Sequence, residues 1–241
     1  IQSEEIENID KLLDNIANFI EKTVDIDEII NLMGEIKVSN YTYPKKRNIK
    51  VSIAYDKAFS FYYNENLNLL ENICHLEDKK IPKCDLLYIG GGYPELYKEK
   101  LSQNKAMINS IKNIAEQGGY IYAEAGGFMY LVDNIEDYPM VGIFKGKAYM
   151  TDRLQRFGYT NMELMKDTLL GEKGDKLAGN EFHRSFIDIK EEPFYHITKP
   201  MSNRNWQCGY QYKNVFAAYQ HINFLGNMKV FNYLLHIVEN K

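Results

Sequence analysis

The chain has 241 residues, 45% of them apolar and 26% charged, enough for one large or two small domains with a buried core. No run approaches the roughly 20 consecutive apolar residues of a membrane span, and the opening IQSEEIENID lacks the basic-then-apolar order of a signal peptide. Cys74, Cys84 and Cys208 are too scattered for a disulfide framework or a zinc cluster, so a reducing, cytoplasmic setting fits, and a net charge of −4 argues against nucleic acid as the main partner.

The charge is uneven. Residues 1–34 carry a net −7 and residues 35–241 a net +3, which marks the acidic piece as a separate unit. Within it Ile6, Ile9, Leu13, Ile16 and Ile20 recur at three- and four-residue steps, as an amphipathic helix requires. VDIDEIINLM reads as a second short helix, with Asp25 or Asp27 near its N-terminus complementing the helix dipole. Residues 35–48 lose periodicity around Pro44 and a KKR run, and read as a linker whose basic triplet is a solvated stretch.

Beyond the linker, short apolar runs alternate with helical stretches, the pattern of a mostly parallel sheet flanked by helices. The predicted strands are 48–55, 85–91, 119–124 and 140–144, and the predicted helices 64–73, 104–117 and one beginning near Gly126. From Ala148 onward β-type runs dominate (FGYTNMEL, NEFHRSFIDI, EPFYHIT and QCGYQYKNVFAAYQHI) until a closing helix over 227–240. The 19 tyrosines read as a mark of genome composition and packing rather than chemistry, and His75, His196 and His236 as packing or surface residues.

Four segments carry chemistry. In YIYAEAGGFMYL (120–131) a strand runs through Glu124-Ala125-Gly126-Gly127 straight into a helix. Such an elbow holds a nucleophile in a strained turn and offers amides at the helix start to an oxyanion. Ala125 stands where Ser or Cys would be, and a methyl group cannot attack. The Gly90-Gly91-Gly92 turn of IGGGYPEL (89–96) lets backbone approach a ligand, although a plain turn is the commoner meaning of such a run. His221 in AAYQHINF (217–224) stands where a general base could sit, with Asn223 at the place where many triads keep an orienting carboxylate. In GNEFHRS (179–185) Glu181 and His183 alternate on one strand face and could meet a common ligand, but two such residues do not make a metal site.

Taken together these motifs resemble the C-terminal glutamine amidotransferase domain of the cobyrinic acid a,c-diamide synthase family. The matching stretches are 54–71 (with AFSFYY), 88–96 (GGGYPEL), 120–131, 150–160 (TDRLQRFGY), 179–185 and 214–224, in order over nearly all of residues 49–224. The resemblance implies an α/β, class I amidotransferase-like (flavodoxin-like) fold with added C-terminal β-structure. It implies a nucleophile position at Ala125, a base at His221, oxyanion and glutamine-binding amides at Gly91, Gly92 and Gly126, and substrate-side candidates in Glu124, Glu181 and His183. It implies glutamine as amide donor, and a tetrapyrrole carboxylate as acceptor, from cobyrinate or from nickel sirohydrochlorin. ATP and Mg²⁺ would lie on a synthetase domain of the same parent chain, with residues 1–34 as the connecting helical segment, 35–48 the linker and 49–241 the amidotransferase domain. It leaves a homodimer open.

No GxxxxGK[ST] phosphate loop and no initiator Met occur, which fits a fragment whose ATP site lies elsewhere. The family's usual histidines at positions 180 and 223 are asparagines here. The decisive departure is Ala125, which leaves no covalent route through a glutamyl thioester. It reads either as a replacement made to trap glutamine or as the residue of a homologue that has lost the activity. A non-catalytic module that binds glutamine or docks a partner is the competing reading, and a hydrolase using Cys84 or Cys208 the third.

Overall fold

The computed structural model describes residues 8–35, 42–73, 75–77 and 81–240. Contacts divide the chain into two units, with the boundary between Thr42 and Tyr43. The first holds α1 (Ile9–Thr23) and α2 (Ile26–Leu32). Asp25 caps α2, its carboxylate accepting from Glu28 N at 2.9 Å. Ile6 lies outside the described residues. Tyr43 to Asn48, read as linker, group with the second unit, where Arg47 N donates to Ile73 O.

The second unit is built on a six-stranded sheet made of β1 (Lys50–Ile53), β2 (His75–Glu77), β3 (Leu86–Ile89), β4 (Tyr120–Glu124), β13 (Tyr210–Tyr212) and β14 (Val215–Ala218). Their order is β13-β14-β4-β3-β1-β2, with every pairing parallel except β13 on β14. The parallel part has the 2-1-3-4-5 order of flavodoxin-like sheets, as expected. β3 and β14 are buried at every position, because strands covered on both faces need continuous apolar runs rather than alternation. Helices α3 (Asn64–Ile73), α4 (Lys98–Gln103), α5 (Lys105–Glu116), α6 (Gly126–Leu131) and α7 (Met228–Glu239) belong to this unit. α5 buries Ile108, Ile111 and Ala115, and α7 buries Val230, Phe231, Leu234, Leu235 and Val238, each at helical spacing.

Two four-stranded sheets carry the added β-structure. One runs β10-β7-β5-β6, from β5 (Val132–Ile135), β6 (Tyr138–Pro139), β7 (Phe144–Met150) and β10 (Ser185–Ile189). The other runs β12-β11-β8-β9, from β8 (Arg156–Leu164), β9 (Lys176–His183), β11 (Tyr195–Thr198) and β12 (Asn205–Cys208).

The structure corrects three expected strands. Of 140–144 only Phe144 is in a strand, because Gly142 turns at φ +72° while the amides of Val141, Gly142 and Ile143 bond back to the carbonyls of Tyr130, Val132 and Leu131. NEFHRSFIDI is two strands broken at Arg184, one in each small sheet. The last long run is cut into β12, β13 and β14 by Gly209 and Lys213, at φ +74° and +49°.

Candidate functional site

β4 ends at Glu124, and the chain turns at Ala125 with φ 43° and ψ −102°, a conformation that a residue bearing a Cβ rarely adopts. α6 starts at the next residue. Its Gly127 N–H donates to Gly90 O at 3.0 Å, which ties the elbow to the glycine turn after β3. The packing leaves no room for side chains there. A Cβ on Gly127 would fall 2.3 Å from Ile89 O, and one on Gly126 would fall 3.0 Å from Gly92 N.

The glycine turn differs from expectation in one respect. Gly91 exchanges both backbone hydrogen bonds with Phe61, so its amide is engaged rather than free for an oxyanion. What Gly91 supplies is space, since a Cβ there would lie 2.3 Å from Cε1 of His221. The amides of Gly92 and Gly126 meet no protein acceptor among the described residues.

His221 follows β14 and is buried. Its backbone exchanges two hydrogen bonds with Asn180 of β9, at 2.8 and 3.0 Å. The ring lies against Phe61, with centroids 4.7 Å apart, and its Nδ1 is 3.2 Å from Glu124 Oε2. Glu124 is 1% exposed and its carboxylate is fully engaged inside the protein. Oε1 accepts from the Tyr122 hydroxyl at 2.6 Å and Ile222 N at 3.1 Å, and Oε2 takes the Tyr88 hydroxyl at 3.1 Å besides the imidazole. Burial, then the charge of Glu124, holds the Tyr88 and Tyr122 hydroxyls well above the usual tyrosine range, so both stay protonated donors.

The carboxylate beside His221 thus stands elsewhere than at position 223, where the sequence has Asn. Asn223 Oδ1 accepts from Gly226 N, making a local turn, and the carboxylate on the imidazole comes from the residue just before the elbow. Sequence reading missed Asn66 of α3, fully buried, whose Nδ2 donates to Ile222 O and whose Oδ1 accepts from Phe224 N, both at 2.7 Å. The signal was there to read: Asn66 shares the buried helix face with Leu69, Leu70 and Ile73, where a carboxamide needs a structural reason. Tyr88 and Tyr122 are likewise more than packing. Tyr62 adds a third hydroxyl to the area, donating to Ala54 O and accepting from Gly90 N at 2.9 Å.

Glu181 and His183 do share a face of β9, and Glu181 Oε2 accepts from Gln220 Nε2 at 2.6 Å. Gln220 and His221 are successive residues whose side chains meet two different carboxylates, Glu181 and Glu124. Cys208 is buried and its thiol is pushed up to about 12 by burial, which leaves no thiolate at neutral pH. Cys74 and the side chain of His75 lie outside the described residues, and no described helix is long and apolar enough to cross a membrane.

The arrangement is a strand-to-helix elbow beside an imidazole paired with a buried carboxylate and two amides without a protein acceptor, and the residue at the turn, Ala125, carries no nucleophilic atom. The chain that carries it is similar to known proteins. Cobyrinate a,c-diamide synthase of Clostridium acetobutylicum is 42% identical over 249 aligned residues, covering 99% of this chain and 56% of that protein. The chain thus spans little more than half the length of that relative. Among solved structures, one described as PurLQS from Thermotoga maritima superposes with a TM-score of 0.61 at 17% identity, over 80% of this chain and all of that one. A crystal structure of a glutamine amidotransferase superposes at 0.56 and 14% identity, over 78% of this chain and 98% of the other. With residues 50–229 matching its profile, the chain belongs to the CobB/CobQ-like glutamine amidotransferase domain family.

Proposed function

We propose that this chain is the ammonia-supplying domain of an ATP-dependent a,c-diamide synthase that amidates tetrapyrrole carboxylates, and that it is inactive toward glutamine with Ala125 at the elbow. The observation that carries the reading is the buried Glu124–His221 pair, whose carboxylate belongs to the residue directly before that elbow. With a thiol at position 125, His221 would hold a proton on Nδ1 toward Glu124 and accept the thiol proton at Nε2. The thiolate would attack the side-chain amide carbon of glutamine, and the amides of Gly92 and Gly126 would receive the oxyanion. Protonated His221 would return its proton to the leaving nitrogen, releasing ammonia and leaving a thioester for water to hydrolyse. Glu124 acts by orienting His221 rather than by touching substrate. ATP and Mg²⁺ belong, in this reading, to a synthetase portion of the parent protein, which activates the acceptor carboxylate.

The test is Ala125→Cys in the full-length protein that contains this domain, assayed with glutamine, ATP and cobyrinate. Glutamine-dependent amidation is expected; failure with glutamine but success with free ammonia would sink the assigned elbow. Success with nickel sirohydrochlorin and failure with cobyrinate would move the acceptor to the other ring.

Ala125 itself favours a second reading, a module that binds glutamine without turning it over. Calorimetry on the unaltered chain separates the two: glutamine binding together with an Ala125→Cys variant that stays inert supports the second.

A further inference from the structure

Phe61, in the AFSFYY run, stands apart from the core that its neighbours join. It is 48% exposed, while Phe59 is buried and the Tyr62 hydroxyl is committed to Ala54 O and Gly90 N. The segment that carries it is firmly built. Asp56 Oδ1 accepts from Ala58 N at 2.8 Å and from Phe59 N at 3.1 Å, and Tyr93 N donates to Ala58 O at 3.0 Å. Phe61 and Gly91 then exchange both backbone hydrogen bonds at 3.1 Å. An ordered loop thus holds a half-exposed phenyl ring outside the core. The aromatic ring nearest to it is the His221 imidazole, with centroids 4.7 Å apart and planes at 57°, and Tyr63 follows at 6.3 Å.

The geometry of the base gives that contact a purpose. Among the described residues Glu124 Oε2 is the one hydrogen-bond partner of the His221 ring, and it meets Nδ1 alone. A bond to a single ring atom fixes a distance but leaves the ring free to swing about that atom, which carries Nε2 through an arc. Gly91 closes the edge at Cε1, since a Cβ built there would fall 2.3 Å from that carbon. Phe61 supplies a ring contact in a tilted arrangement of the kind aromatic pairs favour. Because Phe61 and Gly91 are bonded to each other, one backbone bridge sets both contacts. Such placement matters for a proton acceptor, whose displacement by about 1 Å can cost about 10²-fold in rate.

We propose that Phe61 is a positioning residue, whose ring, braced by the Gly91 bridge, holds the plane of the His221 imidazole that Glu124 anchors at one atom. The consequence for catalysis rests on the glutamine-hydrolysing reading. The held imidazole does not, because it belongs to the chain with Ala125 in place.

Two measurements test it. In the unaltered chain, NMR follows hydrogen exchange of the His221 Nδ1 proton near neutral pH, in the parent, in Phe61→Ala and in Phe61→Tyr. Exchange faster by about tenfold or more in Phe61→Ala, and restored in Phe61→Tyr, is expected, as loss of a bracing ring requires. Equal exchange in the parent and Phe61→Ala overturns the proposal, as does a parent with no slowly exchanging Nδ1 proton. In the full-length protein carrying Ala125→Cys, Phe61→Ala should lower glutaminase kcat by about tenfold or more while KM changes by less than about threefold, and Phe61→Tyr should recover kcat. A change confined to melting temperature, or a tyrosine variant as slow as the alanine one, overturns the role, because the ring then only packs its loop. Where Phe61→Ala does not fold, Phe61→Leu removes the flat ring while keeping apolar volume, and the same outcomes apply. An Ala125→Cys protein without glutaminase activity counts against the functional reading, and the exchange measurement still decides the role of Phe61.

Discussion

The carboxylate of Glu124 reaches across from β4 to hold Nδ1 of His221, 97 positions later in the chain, at 3.2 Å. Because β14 lies parallel beside β4 with Ala218 opposite Glu124, the residues that follow the two strands meet at their carboxyl ends. The pairing of base and elbow is thus a consequence of sheet register. It puts a carboxylate, an imidazole and a strained turn within a few residues of one strand end, where ligands of open α/β sheets bind.

Glu124→Ala should therefore be costly to the fold as well as to chemistry. It strands two tyrosine hydroxyls and the Ile222 amide in a buried place, and a loss of about 3–5 kcal/mol is expected. Glu124→Gln keeps the volume but turns an NH₂ group toward donors, for about 1–3 kcal/mol. Urea denaturation measures both. In an Ala125→Cys background the Gln variant should lower glutaminase kcat by about 10²- to 10⁴-fold, with the imidazole no longer held in one tautomer. Asn223→Ala, which removes only a turn contact to Gly226, should change kcat by less than a few-fold; a larger effect would return the orienting role to position 223.

The elbow reverses the usual effect of Ala→Gly. In ordinary positions that change costs about 0.5–1 kcal/mol. At Ala125 the backbone sits at φ 43° and ψ −102°, where glycine is relieved of steric cost, so Ala125→Gly should be neutral or stabilising by up to about 1 kcal/mol. A melting temperature that falls as in an ordinary helix or strand would mean that the turn is not strained. Gly127→Ala is the opposite case. Its Cβ would meet backbone oxygens at 2.3 and 2.9 Å, and a loss of at least about 1–3 kcal/mol is expected, while Gly226→Ala, with open space around it, should differ little from the parent.

Much of this was legible in the sequence, for reasons that differ by element. Helix 64–73 was placed to the residue because its apolar spacing and flanking asparagines are local signals. The elbow was legible because a strand run meets a small-residue turn and a helix within twelve residues. The split of NEFHRSFIDI between two sheets was not, since nothing at Arg184 announces that the chain changes partners; pairing is a non-local property. The Glu124–His221 contact was hidden for the same reason, and Glu124 looked substrate-facing because strand alternation gives a side-chain direction only once the sheet's neighbours are known. The tyrosines misled through composition: with 19 of them, Tyr88 and Tyr122 did not stand out.

Asn66 offers a test of positioning without touching the elbow. Its carboxamide spans Ile222 O and Phe224 N, clamping the segment just after His221. Asn66→Ala leaves both groups buried without a partner and should cost about 2–4 kcal/mol. Asn66→Asp presents an acceptor to the Ile222 carbonyl and should cost a similar amount even though its shape is the same. In the Ala125→Cys background both variants should depress kcat more than KM, as a displaced base requires. An aspartate variant as stable as the parent would show that the donor to Ile222 O carries no weight.

Alkaline titration gives the last prediction. Burial, the largest cause, raises the hydroxyls of Tyr62, Tyr88, Tyr122, Tyr195 and Tyr219, with Tyr130 pushed up to about 12. In the unfolded chain the same groups lose protons near pH 10. Above that pH the folded state binds more protons than the unfolded one, so unfolding free energy falls as pH rises; below it both states are protonated and the groups contribute no slope. The expected record is a stability that these tyrosines leave unchanged up to about pH 9.5 and that then drops steeply. Phenolate absorbance should appear in two phases, first from exposed rings and then together with loss of structure. A Tyr88→Phe chain should show a shallower alkaline slope, because one proton-holding group is gone, and a slope equal to the parent's would mean that the Tyr88 hydroxyl ionises in the folded protein.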